Sequence, residues 1–339
     1  MPHHTLRTLT RALLLLLTLL LAAQTSAAPQ MLSLGQATHY HFLAFANNDM
    51  HRASLPVQRA VVLLHGVRRN AEDYFDSGKQ LLEHAGLSAS DTLLLTPHFL
   101  TPRDRRSGDD MPLWAKDKWM QGTESQDGRV GIAGFTVLDD LLAYLGDRQH
   151  FPQLEEIVLI GHSAGGQLMQ RYALLGEGDK GLSGIRVRYV ISSPSSYLYI
   201  DDNRLQDGAF KPVVAGRCPG YNQYRYGLEQ APDYFVRQGL DAQQLFRRYA
   251  TRDVTYMVGA LDNNPESRVM DRSCGAALQG VTRVARQLNY LRYEAFLARQ
   301  WQVPVQHRQF VARTVGHDEA RLFATKSVAR HLFHSSDAQ

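Results

Sequence analysis

Three short stretches of this chain carry residues that could do chemistry together. In Gly161-His162-Ser163-Ala164-Gly165-Gly166 a serine stands between glycines placed two positions away on either side. Gly259-Ala260-Leu261-Asp262 ends in a carboxylate, and Gly316-His317-Asp318 presents an imidazole. A serine hydroxyl is a weak nucleophile at neutral pH. It needs a neighbouring base, and that base needs a carboxylate to orient it. The chain order serine, acid, histidine is one in which such parts occur together. The chemistry this points to is attack of Ser163 on a carbonyl carbon, with His317 as base and Asp262 as the acid that holds it.

These side chains must be positioned by the elements around them. Glu155 to Ile160 is an apolar run that reads as a buried strand, and Gln167 to Leu175 reads as a helix. A turn tight enough to join them strains the serine and crowds positions 161 and 165, which glycine relieves. The N–H of Ala164 then stands at a helix N-terminus, free to receive an oxyanion. The second oxyanion donor is expected in His65-Gly66-Val67, after the strand at 60–64, with Val67 the better placed and Gly66 next.

His317 follows the last strand, read at Val305–Val311. His39, His41, His51, His65, His84, His98, His150, His331 and His334 read as surface or packing residues. His162 should point away from the nucleophile, and His307 lies inside the final strand. Asp262 follows the strand at 254–259; its plainer role would be a turn cap ahead of Pro265. Asp201 and Asp202, after the strand at 186–192, are the alternative acids. Asp318 is too close in sequence to His317 to reach back to it.

Other apolar runs give strands at 38–47, 60–64 and 92–97, and helices at 72–84, 134–145, 279–300 and 319–334. In the helix at 279–300 the apolar line is Val281, Val284, Leu288, Leu291 and Phe296. Residues 100–130 form a long polar loop holding Trp114 and Trp119, and a loop of that length is either functional or poorly ordered. Residues 197–250, rich in tyrosine, glycine and proline, show little periodicity and read as a lid-like insertion above the sheet, before the acid-bearing strand. Strand and helix alternate throughout. The fold class is therefore α/β, a three-layer sandwich with a mostly parallel sheet. Reactive groups in such sheets gather at the carboxyl ends of the strands.

Leu64-His65-Gly66, Gly161-His162-Ser163-Ala164-Gly165, Gly259-Ala260-Leu261-Asp262 and Gly316-His317 together resemble the α/β-hydrolase superfamily, in the manner of its secreted serine esterases and lipases. The resemblance covers nearly all of the chain after residue 28. It implies an eight-stranded sheet and a Ser163–Asp262–His317 triad, and needs no cofactor or metal. It does not select a substrate, because the fold hosts esterases, lipases, peptidases and polyester depolymerases alike. The reaction expected is hydrolysis of a carboxylic ester, small or polymeric; the rivals are a serine peptidase or amidase and a non-catalytic binding protein.

The remaining expectations concern context. Arg7 and Arg11 precede a leucine-rich run at 12–23, and Ser26-Ala27-Ala28 follows, so residues 1–28 read as a secretory signal and 29–339 as one hydrolase domain. The implied location is secreted or periplasmic, with no stable membrane anchor after cleavage. Losing Arg7 and Arg11 lowers the formal charge from +4 to +2, too weak an excess to suggest nucleic acid. Cys218 and Cys274 are the two cysteines, and export makes a disulfide between them the expected state. With no histidine at ligand spacing beside them, they suggest no zinc site. Trp114, Trp119 and Tyr197 are candidates for an aromatic substrate cleft, although each ring could simply pack. Arg103, Arg105 and Arg106 form a small basic cluster best read as a solvated loop.

Overall fold

The computed structural model describes residues 28–334 apart from 37, 105–107 and 215. The signal segment read at 1–28, save Ala28, and the arginines at 105 and 106 thus lie outside the described residues. Twelve strands occur among the described residues: β1 (Gln30–Leu34), β2 (Tyr40–Ala46), β3 (Arg59–Leu64), β4 (Thr92–Pro97), β5 (Pro112–Leu113), β6 (Asp127–Gly128), β7 (Glu156–His162), β8 (Arg186–Ser192), β9 (Asn203–Gln206), β10 (Ala209–Pro212), β11 (Asp253–Gly259) and β12 (Arg308–Ala312). Eight of them build one sheet in the order β1-β2-β4-β3-β7-β8-β11-β12. From β4 to β12 every neighbour is parallel, while β1 and β2 add an antiparallel edge.

The strand sequences explain the layering. In β3, Ala60, Val62 and Leu64 join the core on one face, and Val61 and Leu63 the core on the other. A strand that is apolar at every position must be covered on both sides. On one face lie α1 (Ala71–His84), α8 (Glu319–Phe323) and α9 (Lys326–Phe333). On the other lie α2 (Gly134–Leu145), α3 (Ala164–Leu175), α5 (Ala242–Ala250) and α7 (Arg283–Trp301). The short helices α4 (Asp233–Val236) and α6 (Cys274–Ala277) sit in connections. Among the described residues no helix is long and apolar enough to cross a membrane.

Three local readings of the sequence are corrected. The expected closing helix at 319–334 is two helices, because Thr325 takes an extended backbone and its hydroxyl turns back to the Arg321 carbonyl at 2.7 Å. The long loop at 100–130 contains the β5–β6 ribbon and a 3-10 turn at Lys118–Gln121, pinned by two buried tryptophans. Helix α7 begins at Arg283 and buries a different face from the apolar one. Arg283, Arg286, Gln287, Tyr290, Tyr293, Glu294 and Leu297 point inward, while Leu288 is 41% and Val281, ahead of the helix, 70% exposed. The physical reason is the surface beneath it, a layer of tyrosines whose hydroxyls require polar partners. Tyr197 stacks on Tyr290 at 4.6 Å and Tyr199 packs against Tyr293 at 4.4 Å.

Cys218 and Cys274 form a disulfide with Cα atoms 5.8 Å apart at a sequence separation of 56. It fastens the connection between β8 and β11 to the start of α6. Closing a loop of this size constrains the unfolded chain by about 4 kcal/mol. Replacing both cysteines by serine should therefore lower the calorimetric melting temperature by roughly 5 °C. An unchanged midpoint would show that the cross-link contributes nothing to stability.

Candidate active site

The turn after β7 places Ser163 at φ 58° and ψ −115°, a strained region for a residue with a side chain. Neighbouring backbone holds it there. The Ser163 N–H donates to the Ser192 carbonyl at 2.9 Å, and the Ser163 carbonyl accepts from the N–H of Gln167 at 3.0 Å. A Cβ at position 161 would meet the Gly165 carbonyl oxygen at 2.2 Å, and one at 165 would meet that of Leu64 at 2.6 Å. Glycine is thus required at both positions for room rather than for an unusual φ.

The loops after β11 and β12 are stitched together by backbone. Ala260 N–H donates to the Ala312 carbonyl at 2.8 Å and Leu261 N–H to that of Val315 at 2.9 Å. This pairing brings Asp262 and His317 within reach of Ser163, which lies 154 residues from the histidine. His317 Nδ1 lies 2.8 Å from Asp262 Oδ2, and His317 Nε2 lies 2.9 Å from Ser163 Oγ. A carboxylate only accepts, so Nδ1 carries the proton and Nε2 is left to accept from the serine hydroxyl. Asp262 is buried, with its other oxygen Oδ1 receiving Nη1 of Arg283 at 3.2 Å. Burial pushes the Asp262 carboxyl up, but the His317 hydrogen bond and charge, with Arg283, outweigh it and hold the group below the usual carboxylate range.

Arg283 was not singled out in the sequence. It is itself buried, and its Nη2 donates to the Val269 carbonyl at 2.9 Å, so one guanidinium ties the acid loop to residue 269. A signal was present: Arg283, Arg286, Gln287, Tyr290, Tyr293 and Glu294 repeat at helical spacing, masked because none is aliphatic. The alternative acids are engaged elsewhere or lie apart. Asp201 accepts from the Tyr293 hydroxyl at 2.8 Å and from Asn203, and Asp318 caps α8 through the Arg321 N–H. The carboxylate hydrogen-bonded to His317 Nδ1 is that of Asp262 rather than that of Asp202.

His162 packs beneath the site, 4.9 Å from the His317 ring, with Nδ1 2.8 Å from the Tyr74 hydroxyl. Burial first, then the neighbouring His317 and Arg283, hold its pKa far below the usual value, so it stays neutral. His307 precedes β12 rather than lying within it, buried against Glu294 at 3.1 Å.

The loop after β3 passes close to the serine: a Cβ on Gly66 would lie 3.6 Å from Ser163 Cβ. His65 fixes that loop. Its Nδ1–H donates to the Gly66 carbonyl at 2.9 Å and its Nε2 accepts the N–H of Phe99 at 3.1 Å. Burial, reinforced by His98, lowers its pKa to about 3, so this one neutral tautomer persists. The N–H of Ala164 opens α3 and has no partner within the helix. Val67, Ser163 and Ala164 share the lining of a cleft of about 330 Å³. Its far wall is charged, with Arg225 joined to Asp117 at 3.2 Å and to Asp271 at 2.7 Å, beside Arg268 and Arg272.

The three aromatic candidates for substrate contact are placed elsewhere. Trp114, Trp119 and Tyr197 are fully buried. Trp119 stacks on Phe99 at 5.0 Å and meets the His65 ring at 4.7 Å, so it supports the loop after β3 from behind. Trp114 donates its indole N–H to the Thr123 carbonyl at 2.9 Å, and Tyr197 belongs to the tyrosine layer under α7. Their large apolar area is better hidden in the core than left in a polar cleft.

A profile of the alpha/beta hydrolase family matches residues 61–337, most of the chain and every residue of the constellation just described. The chain belongs to that family. Solved structures agree on the fold of this hydrolase. It is similar to the LpqC poly(3-hydroxybutyrate) depolymerase of Bordetella parapertussis, at 18% identity and a TM-score of 0.63, covering 92% of each chain. It is also similar to poly(aspartic acid) hydrolase-1 of Sphingomonas sp. KT-1, at 18% identity and a TM-score of 0.61, covering 90% of this chain and 97% of that one. No curated protein sequence matches the hydrolase.

Proposed function

We propose that this chain is an exported serine hydrolase that cleaves carboxylic esters through an acyl-enzyme. The observation that carries the reading is the hydrogen-bonded line Ser163 Oγ, His317 Nε2, His317 Nδ1, Asp262 Oδ2, with contacts of 2.9 and 2.8 Å. Ser163 Oγ attacks the carbonyl carbon while His317 Nε2 takes its proton. The N–H groups of Ala164 and Val67, or Gly66 in its place, receive the oxyanion. The tetrahedral intermediate then collapses, and His317 returns the proton to the leaving alcohol. Water repeats the cycle on the acyl-enzyme and frees the acid. Asp262 holds the ring and stabilises its cationic form throughout.

The disulfide between Cys218 and Cys274 supports export to an oxidising compartment. The charged wall of the cleft supports an acyl or alcohol part with polar groups over a long alkyl chain. One of the structural neighbours is named for a polyester and the other for a polyamide. Ester and amide substrates are therefore compared directly. A fluorophosphonate probe should label the protein at Ser163, and short p-nitrophenyl esters should turn over much faster than the matching anilides. Absence of labelling would leave a non-catalytic binding protein, and anilides equal to esters would favour an amidase.

A further inference from the structure

At the amino ends of the strands, opposite Ser163, lies a second cleft of about 580 Å³, larger than the one beside the serine. Glu156 and Ser163 begin and end the same strand run, so the two clefts stand roughly 20 Å apart across the sheet. Five arginines line it, Arg59, Arg186, Arg188, Arg252 and Arg308, against two acids, Glu156 and Asp253. The rest of the lining is uncharged.

The ion pairs leave an excess. Glu156 is shared by Arg59 at 2.5 Å, Arg186 at 2.6 Å and Arg188 at 3.4 Å. Asp253 is shared by Arg188 at 3.6 Å and Arg308 at 2.6 Å. Arg252 is matched separately, by Asp179 and by the carbonyls of Tyr172, Ala173 and Gly176. Four guanidiniums therefore share two carboxylates, which leaves the network with a net excess of two positive charges. Arg188 is only 8% exposed, so its charge is held in a poorly solvated place. Burial, then the nearby Arg308 and Arg186, weaken its hold on its proton despite Glu156 and Asp253. Concentrated, partly desolvated guanidiniums with spare N–H donors are suited to oxyanions, which they grip in pairs. The volume is that of a small-molecule site.

We propose that this cleft binds a small anion of two or more negative charges, a phosphate or a polycarboxylate, seated between Arg186 and Arg308 above Arg188. The spare charge of Arg59, Arg186, Arg188 and Arg308 supplies the attraction, and the anion accepts from guanidinium N–H groups that Glu156 and Asp253 do not engage.

Inorganic phosphate and citrate are titrated separately into the full chain, with sodium chloride at matched ionic strength as control. Thermal midpoint and isothermal calorimetry are read. A saturable rise with either anion beyond chloride supports the site, and the better ligand shows whether phosphate or carboxylate is its chemistry. In the double variant Arg186→Ala, Arg308→Ala, the half-saturating concentration should rise at least roughly tenfold. Ester turnover should stay unchanged, since neither residue is near Ser163. Should that variant not fold, Arg186→Gln alone, at a half-exposed position, should weaken binding at least roughly threefold. No saturable response to either anion, or an equal response in the folded variant, overturns the proposal.

Discussion

Ser163→Ala should lower kcat/KM for a short p-nitrophenyl ester by on the order of 10⁵-fold or more, and should abolish fluorophosphonate labelling. The size follows from the geometry. The Ser163 hydroxyl is the atom that His317 Nε2 faces at 2.9 Å, and among the described residues no second hydroxyl is hydrogen-bonded to that nitrogen. What survives would be the rate given by substrate binding and the two N–H donors acting on water. The fold should persist, since the substitution removes one oxygen and leaves the backbone bonds to Ser192 and Gln167 in place. Circular dichroism and melting temperature check this. A variant that keeps a tenth of the activity with an intact spectrum would end the acyl-enzyme reading.

Asp262→Asn should lower kcat by about 10⁴-fold, for a different reason. The amide can donate a proton to His317 Nδ1, which would turn the Nε2 proton towards Ser163 and leave no base. The same change leaves the Arg283 guanidinium buried without its counter-charge. A broken buried ion pair costs about 3–5 kcal/mol, so the variant should also melt at lower temperature. The sign of the pH effect follows from the lowered carboxyl. A depressed folded-state pKa gives stability that is present above the unfolded value, 3.8, and lost as pH falls through the lower folded value. The native protein should lose this contribution below about pH 4, while the asparagine variant should show no corresponding step. Acid titration followed by near-ultraviolet circular dichroism, run on both, measures it. Parallel acid curves for the two would remove Asp262 as the source.

Local rules were legible wherever backbone geometry decides them. The strands at 92–97 and 186–192 and the helix at 134–145 fall where their residues place them, because apolar runs and helical spacing are short-range patterns. The edge strand β1 was not anticipated: it is five residues long with only Leu32 and Leu34 buried, and its pairing with β2 supplies the rest. The turn at Ser163 was legible too, since crowding at positions 161 and 165 is set within a few residues. The destination of large side chains was not. Trp114, Trp119 and Tyr197 are ring types that serve in a cleft or a core, with packing the commoner role for any one of them, and Phe99, His65 and Tyr290, distant in sequence, decided for the core.

By itself the sequence determined the strand–helix alternation, the strained serine turn and the order of the three reactive residues, since each depends on neighbours along the chain. The tertiary structure decided that His317 reaches Ser163 across 154 residues. It also decided that Arg283 backs Asp262, and that arginines from β3, β8 and β12 crowd into one cleft. Those contacts join charges on separate elements, and their energies depend on burial and distance, which exist only once the sheet has assembled.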